Sequence, residues 1–140
     1  MRWMMALLVL VAAPAHADPL KDQLQAGLWG SDHCQDQMCD NRHRIRLDEG
    51  DRRMIFVWQR PIRFHTGAML REIGATVVSR TFDRYTVVQD GDVRLGNDGT
   101  ALQFDVFVTS SGAYCFYETG FGIVDCPNPN RDCRKVASTA

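Results

Sequence analysis

From Gly27 onward the chain alternates short strand-type segments with tight-turn signals. No segment between them carries the helical period that a crossover between parallel strands needs. Gly27 to Asp32 reads as the first strand and Arg42 to Leu47 as the second. The second turns at Asp48-Glu49-Gly50-Asp51 into Met54 to Trp58, an apolar run that reads as a strand buried on most of its surface. Pro61 should end that strand or mark a sheet edge. Ile62 to His65 reads as a short strand, and Gly67 to Ile73 is the one later stretch compatible with a turn of helix. Ala75 to Ser79 and Arg84 to Val88 form two strands or one long bent one. Asp90-Gly91 is a hairpin signal into Val93 to Leu95, and Asn97-Asp98-Gly99 is another into Leu102 to Val108. Ser110-Ser111-Gly112 then turns into Tyr114 to Tyr117. About eight short strands in this order predict an all-β fold, a single antiparallel meander. Closure into a small barrel is the simplest way to cover its edges.

The residues before this run have other roles. Met1-Arg2, the apolar stretch Met4 to Ala13 and the small-x-small triplet Ala15-His16-Ala17 make a secretory signal peptide over residues 1–17. That apolar stretch falls well short of the roughly 20 residues a membrane-spanning helix needs, and no later stretch approaches that length, so the chain is not expected to be membrane-embedded. Residues 18–140 suit one domain of ordinary size. Asp18-Pro19 is a helix start, Leu20 and Leu24 share a face, and Gly27 is a natural stop, which predicts a short N-terminal helix over one end of the fold.

The formal net charge is −1, and loss of the signal peptide with Arg2 makes it one unit more negative. Nothing in that balance favours nucleic acid as a partner. The arginines at 42, 44 and 46 alternate, as on the solvated face of a strand. All five cysteines lie beyond the signal peptide, where an oxidising periplasmic or extracellular space makes disulfides the default. No pair has the Cys-x-x-Cys spacing of a dithiol redox site.

Gly27-Leu28-Trp29, following a short helical turn, resembles the start of the calycin superfamily, which includes lipocalins, fatty-acid-binding proteins and avidins. Thr81-Phe82-Asp83-Arg84-Tyr85 resembles a second lipocalin motif, with one residue more between Thr and Asp. The resemblance implies a small lipocalin-like barrel in which an arginine near the C-terminal end, Arg131 or Arg134, packs on Trp29. The chain also resembles small exported bacterial proteins of unassigned function. In an eight-stranded up-and-down barrel the first and last strands are neighbours. With Tyr114 to Tyr117 as the last, a Cys34–Cys115 bridge would staple the seam, Cys126–Cys133 would hold the C-terminal tail, and Cys39 would be free. The rival scheme is a local Cys34–Cys39 loop with Cys115 bonded into the tail; spacing leaves both open.

Asp32, His33, Cys34, Asp36, Cys39, Asp40 and His43 hold metal-ligand chemistry, but in no spacing that specifies a metal, and a solvated disulfide loop is the expectation. His33, His43 and His65 are the candidate bases, yet no nucleophile elbow, zinc helix or phosphate loop accompanies them, so no catalytic residue, metal or cofactor is expected. Asp48, Glu49 and Asp51 read as solvated turn residues. Among the aromatics, Phe56, Trp58, Phe104 and Phe107 are the candidate ligand-binding set if the interior is hollow, and plain core if it is filled. Phe121, between Gly120 and Gly122, is the candidate contact for a protein partner. The expectation is an exported, non-enzymatic barrel that binds a small apolar ligand. The alternatives are an interaction module, such as an inhibitor of an envelope or extracellular hydrolase, and a structural envelope protein.

Overall fold

The computed structural model describes residues 16–31, 39–120 and 126–135. Its secondary structure begins with helix α1 (Pro19–Ala26), started as expected by Asp18, whose carboxylate accepts from the Lys21 amide at 3.2 Å. Eight strands follow among the described residues: β1 (Trp29–Ser31), β2 (His43–Asp48), β3 (Arg53–Arg63), β4 (Met69–Arg80), β5 (Arg84–Gln89), β6 (Phe104–Val108), β7 (Tyr114–Glu118) and β8 (Asn130–Asp132). Each pairs antiparallel with its sequence neighbour, and β8 pairs with β1, so the sheet closes into a barrel. No helix among the described residues is long and apolar enough to cross a membrane.

Alternation decides the inside of the barrel. In β2, His43, Ile45 and Leu47 are buried while Arg44 and Arg46 are exposed. Cross-strand partners share a face, so Trp58 and Phe56 opposite His43 and Ile45 also point inward. Helix α1 plugs one end. Leu20 and Leu24 are buried, Gln25 accepts from the Leu47 amide at 3.0 Å, and Lys21 and Asp18 pair with Asp51 and Arg80 beside the β2–β3 and β4–β5 turns. The carboxylates at the β2–β3 turn therefore lie at the plugged end, with Asp51 and Asp48 in ion pairs to Lys21 and Arg46.

Several expectations are corrected. Pro61 does not end β3. The strand runs on to Arg63, and the ladder with β4 shifts register between Val57 and Ile62. Pro61 thus sits where no amide donor is needed. Gly67 to Ile73 holds no helical turn, because β4 starts at Met69 and Met69, Leu70, Glu72 and Ile73 are paired with β3. Val93 to Leu95 is not a strand. It keeps a single bridge, Leu95 to Ala101, in an arm that leaves both apolar side chains exposed.

The strand that closes the barrel is β8, in the tail, and not Tyr114 to Tyr117. That changes the disulfides. Because β8 lies between β7 and β1, Cys115 faces the segment entering β8 and bonds Cys126, and Cys133, just past β8, bonds Cys39. Cys39 is therefore not free, Cys126 and Cys133 are not partners, and Cys115 is not joined to Cys34, which lies outside the described residues. Two disulfides suit an oxidising environment.

Candidate cavity in the open half of the barrel

The half of the barrel away from α1 is hollow, with a cavity of about 570 Å³. Aromatic rings from three strands wall it: Phe56 and Trp58 from β3, His43 from β2, and Tyr114 and Phe116 from β7. Trp58 stacks on His43 at 4.8 Å between centroids, and Phe116 meets Phe56 edge-on at 5.6 Å. The rim comes from element ends: Pro61 to Phe64 at the β3–β4 hairpin, Gln89 at the end of β5, Asn41 before β2 and Asn128 before β8.

His43 and Tyr114 mark the boundary between the hollow half and the packed half. Both line the cavity, while Tyr114 meets the buried Trp29 edge-on at 4.9 Å on the other side. His43 is 2% exposed, and its Nε2 is hydrogen-bonded to the Tyr114 hydroxyl. Its Nδ1 is the one buried side-chain polar atom without a partner among the described residues. Desolvation pushes the imidazole down to about 3 and raises the Tyr114 phenol above its ordinary range, so near neutral pH both are uncharged. A proton-transfer pair works best with a pKa near the operating pH. This pair suits hydrogen bonding.

The expected ligand-binding aromatics separate. Phe56 and Trp58 face the cavity. Phe104 points inward but lies behind the wall, stacked on Phe116 at 4.7 Å. Phe107 is on the outer face, across from Arg84, whose guanidinium lies 5.3 Å from its ring centroid. The reason is period: Val106 points inward and its neighbour cannot. Phe121 lies outside the described residues, as do Asp32, His33 and Asp36 of the loop cluster. Of that cluster, Cys39 is in a disulfide and His43 is inside the barrel. His65 is at the rim, 3.4 Å from Asp92.

The inward setting of His43 is legible in the sequence. The arginine alternation that marks 44 and 46 as outward places 43 inward by the same rule. Gln89 follows the same rule, two residues beyond the inward Val87 and across from the buried Ala75. The polar contributions of Asn128 and Asn130 had no such signal, because they arise where the barrel closes.

Trp29 is fixed by other means than the resemblance implied. Its Nε1 donates to the Leu24 carbonyl at 3.0 Å, and its ring lies against Gly27. Arg134 is turned to Asp132, with Nη2 at 2.7 Å from the carboxylate. Arg131 is exposed across from Gly30. Among the described residues the guanidiniums that lie over rings are those of Arg80, Arg84 and Arg94. Set against protein-family models, curated proteins and solved structures, the chain matches none, and the reading of this cavity rests on its own geometry and chemistry.

Proposed function

We propose that the protein is an exported binding module that holds a small, largely apolar ligand in the open half of its barrel. The observation that carries this reading is the cavity of about 570 Å³ walled by Phe56, Trp58 and Phe116. Ligand sites are typically concave, roughly 300–1,000 Å³, and mostly apolar with a few placed polar groups. An eight-stranded barrel is just wide enough to be filled by side chains or to hold one small molecule. Here α1 and the core around Trp29 and Tyr85 occupy one half and leave the other open. The signal-type leader and the two disulfides support a periplasmic or secreted location. Gly27-Leu28-Trp29 and the sequential barrel support a calycin-like origin, although a barrel shape alone does not single out that superfamily. Binding without catalysis is favoured because His43 and Tyr114, the hydrogen-bonded pair buried at the inner end of the cavity, are held uncharged near neutral pH.

The tryptophans test this. Beyond the leader the chain has Trp29, packed beneath α1, and Trp58, on the cavity wall. Titration with 2-ethylnaphthalene should quench tryptophan emission in the wild type and in Trp29→Phe, and not in Trp58→Phe. Native mass spectrometry of protein taken undenatured from its host should show a retained mass that denaturation removes. A bare mass, together with emission unchanged by saturating probe, would overturn the reading.

A further inference from the structure

The His43–Tyr114 pair has one proton more than its own hydrogen bond uses. A neutral imidazole carries one N–H and a phenol one O–H. One of the two makes the Nε2–hydroxyl bond, and the other needs an acceptor. If the hydroxyl donates to Nε2, the proton left over is on Nδ1, which has no partner among the described residues. If Nε2–H donates instead, the proton left over is on the Tyr114 hydroxyl, and Nδ1 becomes a bare acceptor. Among the described residues either tautomer leaves one donor unfilled, in a pair whose two rings both line the cavity. Buried polar groups are nearly always hydrogen-bonded, and an exception calls for an explanation.

Resting on the cavity reading above, we propose that the ligand is an apolar, ring-bearing molecule with an oxygen acceptor, such as a ketone, and that this oxygen takes the spare proton of the His43–Tyr114 pair. The rest of the wall fits the apolar part: Trp58, Phe56 and Phe116 offer ring faces and edges to a planar group. The pair lies where the cavity meets the packed half, so the oxygen end enters first and the apolar end remains towards the rim. The side chain that receives the ligand is neutral, which suits an uncharged acceptor. No titration step is required for binding.

Two probes of similar shape test the proposal. 2-Acetonaphthone carries a carbonyl, and 2-ethylnaphthalene has no acceptor oxygen. The ketone should bind the wild type about tenfold more tightly. Its carbonyl stretch in the complex should lie below its position in an apolar solvent. His43→Phe, which leaves the Tyr114 hydroxyl its proton, should keep the preference. His43→Phe/Tyr114→Phe, which removes both protons, should lose the preference and the band shift while still binding both probes. If the double variant does not fold by circular dichroism, the wild-type band position decides. Equal affinities with an unshifted band would overturn the proposal and leave the cavity reading standing. Binding of neither probe would overturn both.

Discussion

At residue scale, Gly27 is held without a side chain by its neighbour. The six-membered ring of Trp29 lies where a Cβ would be, and the backbone there is extended rather than left-handed, at φ −69° and ψ 154°. Close approach, not turn conformation, requires glycine at this position. Gly27→Ala should displace the indole from its bond to Leu24 and cost about 1–3 kcal/mol, read as a lower urea midpoint with an unchanged m-value. His43 makes a second residue-scale prediction. Its folded-state value of about 3 lies below the 6.5 of the free side chain. Between those values the unfolded chain binds a proton that the folded chain does not, so stability falls as pH drops through the window. From about pH 7 to about pH 5 the loss should approach 2 kcal/mol at the limiting slope. In His43→Gln, urea melts at the two pH values should lie closer together. An equal loss in both proteins would mean that other groups set the slope.

At the scale of elements, the weak places are the joints at either side of the closing strands. β1 meets β2 at one residue pair, Trp29 with His43, and β7 meets β8 at one, Tyr114 with Asn130. Each joint has a disulfide beside it, Cys39–Cys133 at the first and Cys115–Cys126 at the second. The first closes the longer loop, with a separation of 94 residues against 11, so its loss should release more chain entropy. Cys39→Ser/Cys133→Ser should lose about 2–5 kcal/mol, and more than Cys115→Ser/Cys126→Ser, by thermal melts of the two double variants. β8 has a further tie. Asp132 accepts from the Leu28 amide and from Arg134, whose guanidinium foremost holds the carboxyl down to about 2. The contribution is present above the unfolded value near 3.9 and lost as pH falls through the folded one. Asp132→Asn should therefore cost about 2 kcal/mol at neutral pH, and the gap to wild type should close towards pH 2.

For the molecule as a whole, one end is plugged and the other is open, and this asymmetry connects stability to binding. A ligand held only by the folded barrel raises stability by about 2.7 kcal/mol at a hundredfold excess over its Kd. Melts of the wild type with 2-acetonaphthone should show that rise. A filling substitution, Phe116→Trp, should abolish it with little change in the unliganded melt. A rise that survives the filled cavity would place the probe somewhere else on the protein.

The strand run with its turn signals was enough to specify the antiparallel class, the sequential order and the N-terminal helix. Those depend on local period and on residues such as Asp18, Pro19 and Gly99 acting on their immediate neighbours. Inward and outward faces were equally legible, since the alternation that exposes Arg44 and Arg46 buries His43. Three features had no local cause and were decided by tertiary structure. Asn130–Asp132 is a strand because β1 and β7 stand on either side of it, and its own three polar residues carry no strand signal. The disulfide partners follow from that insertion. The cavity exists because α1 fills one end of a barrel whose other end it cannot reach. Whether an inward-facing aromatic is wall or core depends on what stands across the barrel from it, at a distance along the chain that no local pattern spans.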